Sequence, residues 1–410
     1  MMQRMTPTAL PDIADPRRGA ILVCIAAMIS LAVAMGVGRF AFTPLFPLMV
    51  RDGVLDAESG ALLAASNYLG YLVGALVAAR LTMAPGRLLA MGLAATVIVT
   101  AAVGWSSTVP AWALLRFIAG VLSAWTLIAT SAWGLAWLAH LGRPHLAGAI
   151  FSGVGLGIAA AGAFCLVSAR FDTFALTLWL ELAALAALAV LLPLAVSWRL
   201  PAPPAAAAAP SSSPSPRASS SGTRGLVACY ALFGFGYILP ATYLPALARH
   251  FVDDPQVFGL AWPLFGSAAA VSTVLVASGL KHANRVRVWS TCHLVMALGV
   301  LLPVVWPTLG AIVASSVLVG GTFMVITMVG MQEARNRASA NATLVLGRMT
   351  AGFAFGQLMG PVVSAAIGRI VPDQAGALNY ALAASSTGLL ASAFYLWHHE
   401  QRHHTTEQHP

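Results

Sequence analysis

Three arginines and one glutamate stand where ionisable side chains are expensive. Arg39, Arg116, Arg348 and Glu181 each fall inside a long apolar run, and a charge at that depth costs a few kcal/mol or more unless it faces a cavity or a partner. A guanidinium in such a place is a fork of donors for a carboxylate or phosphate. A carboxyl there takes up or releases its proton as its solvation and partners change. Three cations against one carboxylate predict a positive cavity, and so a negatively charged substrate such as a small carboxylate.

Each of the four has a plainer alternative. Arg39 lies about 20 residues into its span, roughly 30 Å along a helix, where it could snorkel to the outer headgroups. Against that, mostly apolar residues follow it as far as Arg51. Gly36, Gly38, Pro44 and Pro47 also break the helix around it, and freed carbonyls at that depth need water or neighbours. Arg116 shares a helical face with Gly120, Ser123, Leu127 and Thr130 or Ser131, a stripe suited to close helix contact or a cavity wall; near the boundary it could also be an anchor. Arg348, with Gln357 further along the same span, is either a substrate contact or a structural partner of Glu333. Glu181 is either a coupling carboxylate or an outer-interface residue, because its flanks (Thr177-Leu-Trp-Leu-Glu181-Leu-Ala-Ala) offer it no local partner. Asn67 and Tyr71 share a face at i, i+4. Trp125, with Trp133 and Trp137, is a substrate contact or a packing and belt residue.

Placing these side chains requires a membrane. The 410-residue chain is 59% hydrophobic and 9% charged, against roughly 25% charged in soluble domains, so lipid is its solvent. Twelve spans fit the hydropathy, from 19–49 to 374–397. The first 18 residues carry no apolar stretch, and no cleavable signal is expected. The four cysteines form no ligand or CxxC pattern and are expected to be packing residues. Neither a cofactor nor a metal is expected. The net charge of +9 is a topology signal: fifteen Lys and Arg lie on the face carrying the N-terminus, four on the other and three inside spans, accounting for all 22. That asymmetry places both termini in the cytoplasm and gives no reason to expect nucleic acid.

The spans repeat. Gly36/Gly234, Gly38/Gly236 and Pro47/Pro245 are 198 apart; Gly148/Gly347, Gly153/Gly352 and Gly157/Gly356 are 199 apart. The Pro/Ala/Ser run from Arg199 to Arg224 cannot bury a core and divides the spans six and six. The expected organisation is a tail (1–18), a six-helix bundle (19–198), a flexible cytoplasmic linker (199–224), a second bundle (225–397) and a tail (398–410). Tyr237 then takes the place of Arg39 in the second half, with Tyr243 beyond it, so one end of the site is charged and the other aromatic. Two halves that each open on a broken helix are the signature of a secondary transporter.

The segment Gly36-Val-Gly-Arg39-Phe-Ala-Phe-Thr-Pro44-Leu-Phe-Pro47, the run Asn67-Tyr-Leu-Gly70-Tyr71 and Arg116-Phe-Ile-Ala-Gly120 together resemble the major facilitator superfamily, in its bacterial YbfB/YjiJ-type branch. The resemblance implies an all-α polytopic fold of 12 transmembrane helices in two pseudo-symmetric six-helix bundles. In that fold spans one, four, seven and ten line the pathway, and the span-four arginine, here Arg116, is linked to proton transfer. The loop between spans two and three departs from the family pattern, since no aspartate precedes Arg80.

The expected function is alternating-access transport of a small organic anion across the bacterial inner membrane by a monomer, coupled to protons, with export favoured over import. Substrate contacts would come from Arg39, Arg116, Asn67, Tyr71, Trp125, Tyr237, Tyr243, Arg348 and Gln357, and coupling from Glu181 and Arg116. No GxxxxGK[ST] loop is present to use a nucleotide. The alternative is a polytopic membrane enzyme such as a lipid-linked transferase, whose acid–base groups would be sought at Asp52, Asp56 and Glu58.

Overall fold

Helix signals at the ends of the apolar runs set the element boundaries. Asp15 accepts the Arg17 N–H at 2.9 Å ahead of Pro16, and Asn284 accepts from Val286 and Arg287 at 2.9 and 3.1 Å; both are N-caps. Pro16, Pro85 and Pro110 stand in first turns, where a missing N–H leaves nothing unsatisfied. A computed structural model describes residues 15–78, 80–203, 218–248, 259–280, 282–338, 342–371 and 373–407. Its helices are α1 (Pro16–Arg51), α2 (Ala57–Ala78), α3 (Pro85–Trp105), α4 (Val109–His140), α5 (Ala147–Ser168), α6 (Ala175–Ala189 with Leu191–Arg199), α7 (Ala218–Ala248), α8 (Ala261–Gly279), α9 (Arg285–Val305), α10 (Leu309–Arg337), α11 (Ala342–Ile370) and α12 (Gln374–Glu407).

Ten of these are long and apolar enough to cross a membrane, and eleven if the two pieces of α6 are one span. The α6 break, a 40° bend at Val190, interrupts what the sequence predicts as one straight span. Pro193 explains it: it has no N–H for the Ala189 carbonyl, and its ring crowds that carbonyl. The last helix, α12, falls outside the ten because Asn379, Ser385, Ser386, Thr387 and Ser392 dilute it, yet Ser385, Ser386 and Ser392 are buried against the bundle. Helix α7 starts at Ala218, inside the stretch expected to be linker, and α12 runs on past residue 397. The head of that stretch is tied down as well: the Leu200 carbonyl accepts from Trp133 and Trp137 of α4, and the Pro201 carbonyl from the Gly86 N–H.

The sequence repeat reappears as contact geometry. A Cβ on Gly153 or Gly157 of α5 would strike the α1 backbone at Met28 or Ala32; one on Gly352 or Gly356 of α11 would strike α7 at Val227 or Ala231. All four residues of each set are related by the same 199-residue offset. Gly120 of α4 abuts the Asn67 carbonyl of α2, and Gly320 of α10 the Phe265 carbonyl of α8. Small residues let these backbones approach where lipid supplies no hydrophobic drive between helices. The halves meet along two seams. In one, Gly148, Gly155 and Gly162 of α5, spaced by heptads, face Ala277, Gly266 with Ala270, and Pro263 of α8. The other brings α2 against α11. Helices α3, α6, α9 and α12 carry the exposed apolar side chains Ile98, Leu188, Leu298 and Phe394 outward, towards lipid.

Candidate functional site

The broken first helix is a π-helical stretch, Ala32–Phe40, followed by Phe42–Arg51 with Pro47 inside it. In the π register the Arg39 carbonyl should receive the N–H of residue 44, and Pro44 has none. Arg116 fills the gap from α4: Nη2 donates to the Arg39 carbonyl at 2.9 Å and Nη1 to the Gly38 carbonyl at 3.2 Å. Its guanidinium also lies 4.8 Å from the Phe42 ring centroid. Asn67 Nδ2 donates to the Arg116 carbonyl at 3.0 Å, and Ser123 to the Ala34 carbonyl at 3.0 Å. Asn67, Arg116 and Ser123 therefore hold the break in one shape. Arg116→Leu, which removes both hydrogen bonds and leaves the Arg39 carbonyl bare, should lower the unfolding temperature as well as transport, with a loss of about 2–4 kcal/mol, read by thermal denaturation in detergent. Arg116→Lys should recover part of it.

That shape aims Arg39 inward. Its side chain is 2% exposed, so it does not reach the headgroups. Its Cζ lies 3.6 Å from the Tyr71 ring centroid, and 5.4 and 5.9 Å from those of Phe40 and Tyr68, a cation–π seat. Nη2 donates to Gln357 Oε1 of α11, across the seam between halves. Nε and Nη1 are buried without a hydrogen-bond partner, as are Gln357 Nε2, the Tyr237 hydroxyl and Trp262 Nε1. Among the described residues no carboxylate lies within ion-pair distance of Arg39 or Arg116; the ion pairs found there involve Arg18, Arg51 and Arg337.

The second half faces this cation with aromatic rings. Tyr237 stacks on Phe323 at 4.3 Å, Phe40 meets Trp262 and Phe323 edge-on at 6.2 Å each, and Tyr71 meets Phe353 at 6.4 Å. The asymmetry follows the repeat: the position of Arg39 is Tyr237 in the second half, and Asn67 answers to Phe265. All these side chains are buried, so the site is closed to bulk water in this conformation. A cavity of about 290 Å³ does open, but at the basic end of the bundle, among His145, Val276, Leu280, Arg285, Val288 and Gln332.

Arg39, Asn67, Tyr71, Arg116, Tyr237 and Gln357 thus converge. Arg348 does not: it is exposed on α11, and Glu333, its expected partner, is bonded to Arg337 one turn away at 2.6 Å. Glu181 is exposed on the outer face of α6, whereas Leu178, Trp179, Leu182 and Ala183 around it are buried against the bundle. Trp125 is half-buried and donates to the Gly74 carbonyl at 3.1 Å, a brace between α4 and α2. The Tyr243 side chain lies outside the described residues. Sequence reasoning missed Trp262, Phe323, Phe353 and His293, whose apolar surroundings carry no periodic or motif signal. The acidic cluster considered for an enzyme has structural duties. Asp52 accepts from Ala175 N at 2.6 Å, capping α6, and pairs with Arg51 at 2.8 Å. Asp56 caps α2 through the Ser59 N–H, which holds its carboxyl below the usual range.

Helix order, paired seams and a broken first helix define a major facilitator transporter. The family model described as "Uncharacterised MFS-type transporter YbfB" matches residues 31–396, and the chain belongs to that family. No curated protein matches the sequence. Among solved structures, the human organic anion transporter MFSD10 (TETRAN) superposes with a TM-score of 0.66 at 17% identity, covering 95% of this chain and 100% of that one. At that identity the likeness is one of fold.

Proposed function

We propose that this transporter moves a small amphipathic organic anion, carboxylate-bearing and with an apolar body, by alternating access across the inner membrane. The observation that carries the reading is Arg39: a buried guanidinium with two unused N–H groups and no carboxylate partner among the described residues. A charge so placed is compensated best by one that arrives with the substrate. The carboxylate would take Nε and Nη1, with Gln357 Nε2 and the Tyr237 hydroxyl beside it, and the apolar body would lie among Phe40, Trp262 and Phe323. The cargo named for the human structure belongs to that protein, and the case here rests on Arg39.

Alternating access would open and close the α2–α11 and α5–α8 seams around this site. Protons are the proposed drive, export the favoured direction and a monomer the working unit. Arg116 is engaged in holding the α1 break, which favours a positioning part for it over proton transfer. The excess of Lys and Arg on the face carrying the N-terminus supports cytoplasmic termini. A thermal-shift screen of the purified protein tests the substrate class: aromatic and aliphatic carboxylates should raise the unfolding temperature in a saturable way. A response confined to cations or neutral solutes would remove the reading.

A further inference from the structure

His293 of α9 is fully buried within its span, and nothing above uses it. Its Nε2 accepts the Trp289 indole N–H at 2.9 Å. An indole nitrogen only donates, so that imidazole is neutral with its proton on Nδ1, and Nδ1 is buried without a partner. An ionisable residue so placed calls for a functional explanation, and histidines in such positions serve as proton carriers.

The elements packed on α9 are α7, α10 and α12. Helix α7 brings Phe233, 6.1 Å from the His293 ring, and Tyr230, whose hydroxyl is bonded to Thr327 of α10. Helix α12 is tied to α9 on either side of His293, by Ser290 donating to the Ala393 carbonyl at 2.8 Å and Ser386 to the Ala297 carbonyl at 3.1 Å, and it carries Ser385 and Ser392, each with a buried hydroxyl lacking a partner. The thiols of Cys229 and Cys292 complete the titratable groups nearby, and no described charged side chain acts on the ring. Elsewhere the described carboxylates are at helix ends and loops, exposed on α6 as Glu181, or paired as Glu333 with Arg337. The other histidines in the described ranges are His140, His145 and His282, at helix ends or in loops, and His398, His399, His403 and His404, in the last three turns of α12. Among the described residues, His293 is the buried group within a span whose ordinary titration falls near neutrality.

We propose that His293 carries the coupled proton of the transport cycle, accepting it at Nε2 in place of the Trp289 hydrogen bond. This rests on the proton-driven reading above. When α9 becomes accessible from one side, water delivers a proton to Nε2. Both ring nitrogens then donate, so the Trp289 N–H confronts another N–H and must let go, and the imidazolium turns towards an acceptor such as the Ser385 or Ser392 hydroxyl. On the other side the same Nε2–H returns its proton to water and the Trp289 bond re-forms. The ring movement bears on the substrate site through packed rings: Phe233 on Phe353 at 4.9 Å, Phe353 on Tyr71 at 6.4 Å, and Tyr71 under Arg39 at 3.6 Å. The variants below test coupling along that chain.

Two measurements decide it. Tryptophan emission of the substrate-free protein in nanodiscs, followed from about pH 9 down to about pH 4, should contain a titrating component that is absent from both His293→Gln and Trp289→Phe. In proteoliposomes with radiolabelled hippurate as probe, His293→Gln should exchange hippurate within about twofold of wild type yet lose gradient-driven accumulation about tenfold or more. Trp289→Phe keeps the imidazole and should keep accumulation, which separates loss of the proton site from loss of packing. His293→Gln that accumulates like wild type, or an emission titration that survives it, overturns the proposal. If wild type neither binds nor exchanges hippurate or any other carboxylate, the anion reading fails, and the emission titration then decides the fate of His293 alone.

Discussion

Arg39→Met is expected to reduce organic-anion transport by about 100-fold or more without lowering the stability of the folded protein. Two free guanidinium donors, each forming a charge-assisted hydrogen bond of about 1.5–3 kcal/mol with a substrate carboxylate, set that scale at 1.4 kcal/mol per tenfold. The substrate-free protein should respond differently. Burying the guanidinium costs a few kcal/mol, offset by the Gln357 bond and by a cation–π contact with Tyr71 of about 2 kcal/mol. Removing cost and offsets together leaves the unfolding temperature near that of wild type or above it. Arg39→Lys keeps the charge but loses the fork, and should lie between the two in transport. Initial uptake rates in proteoliposomes, with melting temperatures measured in parallel, check both halves of the expectation. A large loss of stability in Arg39→Met would mean that the residue is a structural pillar.

Gly157→Val is expected to produce a large loss of stability. A Cβ at Gly157 would enter the Ala32 backbone, and the backbone of Gly157 itself already meets the position a Gly36 side chain would need. No flexible side chain stands between the two helices to move aside, so α1 and α5 must separate. Overpacking of this kind costs about 1–3 kcal/mol, and more where backbone is struck. The π-helical stretch that aims Arg39 begins at Ala32, so transport should fall together with folded yield. Gly368→Ala on α11, where nothing lies within 4 Å, should be neutral or stabilise by about 0.5–1 kcal/mol through helix propensity. Detergent melting curves and size-exclusion profiles of the two variants make the comparison. Equal behaviour would contradict the close approach of α1 and α5.

The scaffold was largely legible because lipid imposes simple constraints. Apolar run length gave the spans, and the glycine offset of 199 became matched backbone contacts at Gly153/Gly352 and Gly157/Gly356. Arg39 was legible from its setting among Gly36, Gly38, Pro44 and Pro47. What sequence reasoning could not reach were relations between distant helices. Gln357 meets Arg39 across 318 residues, a pairing that no local pattern marks. Arg116 looked like a ligand to the proton or the substrate, yet its hydrogen bonds go to the Arg39 carbonyl, which Pro44 leaves free, and to the neighbouring Gly38 carbonyl. Arg348 and Glu181 share the apolar neighbourhoods of the site residues but point outward, because a helix that is apolar all round does not reveal which side faces lipid. His293 was missed for the same reason, lying in a span with no amphipathic register to mark its inner face.

Calorimetric titration of the protein in nanodiscs with hippurate and with its neutral amide puts the weight on one charge. The amide keeps the aromatic body and loses only the anion. A substrate carboxylate seated on Arg39 predicts that the acid binds, that the amide binds at least about 100-fold more weakly, and that Arg39→Met binds both equally poorly. Equal affinity for acid and amide, or undiminished acid binding in Arg39→Met, would show that the guanidinium between the two halves does not hold the cargo.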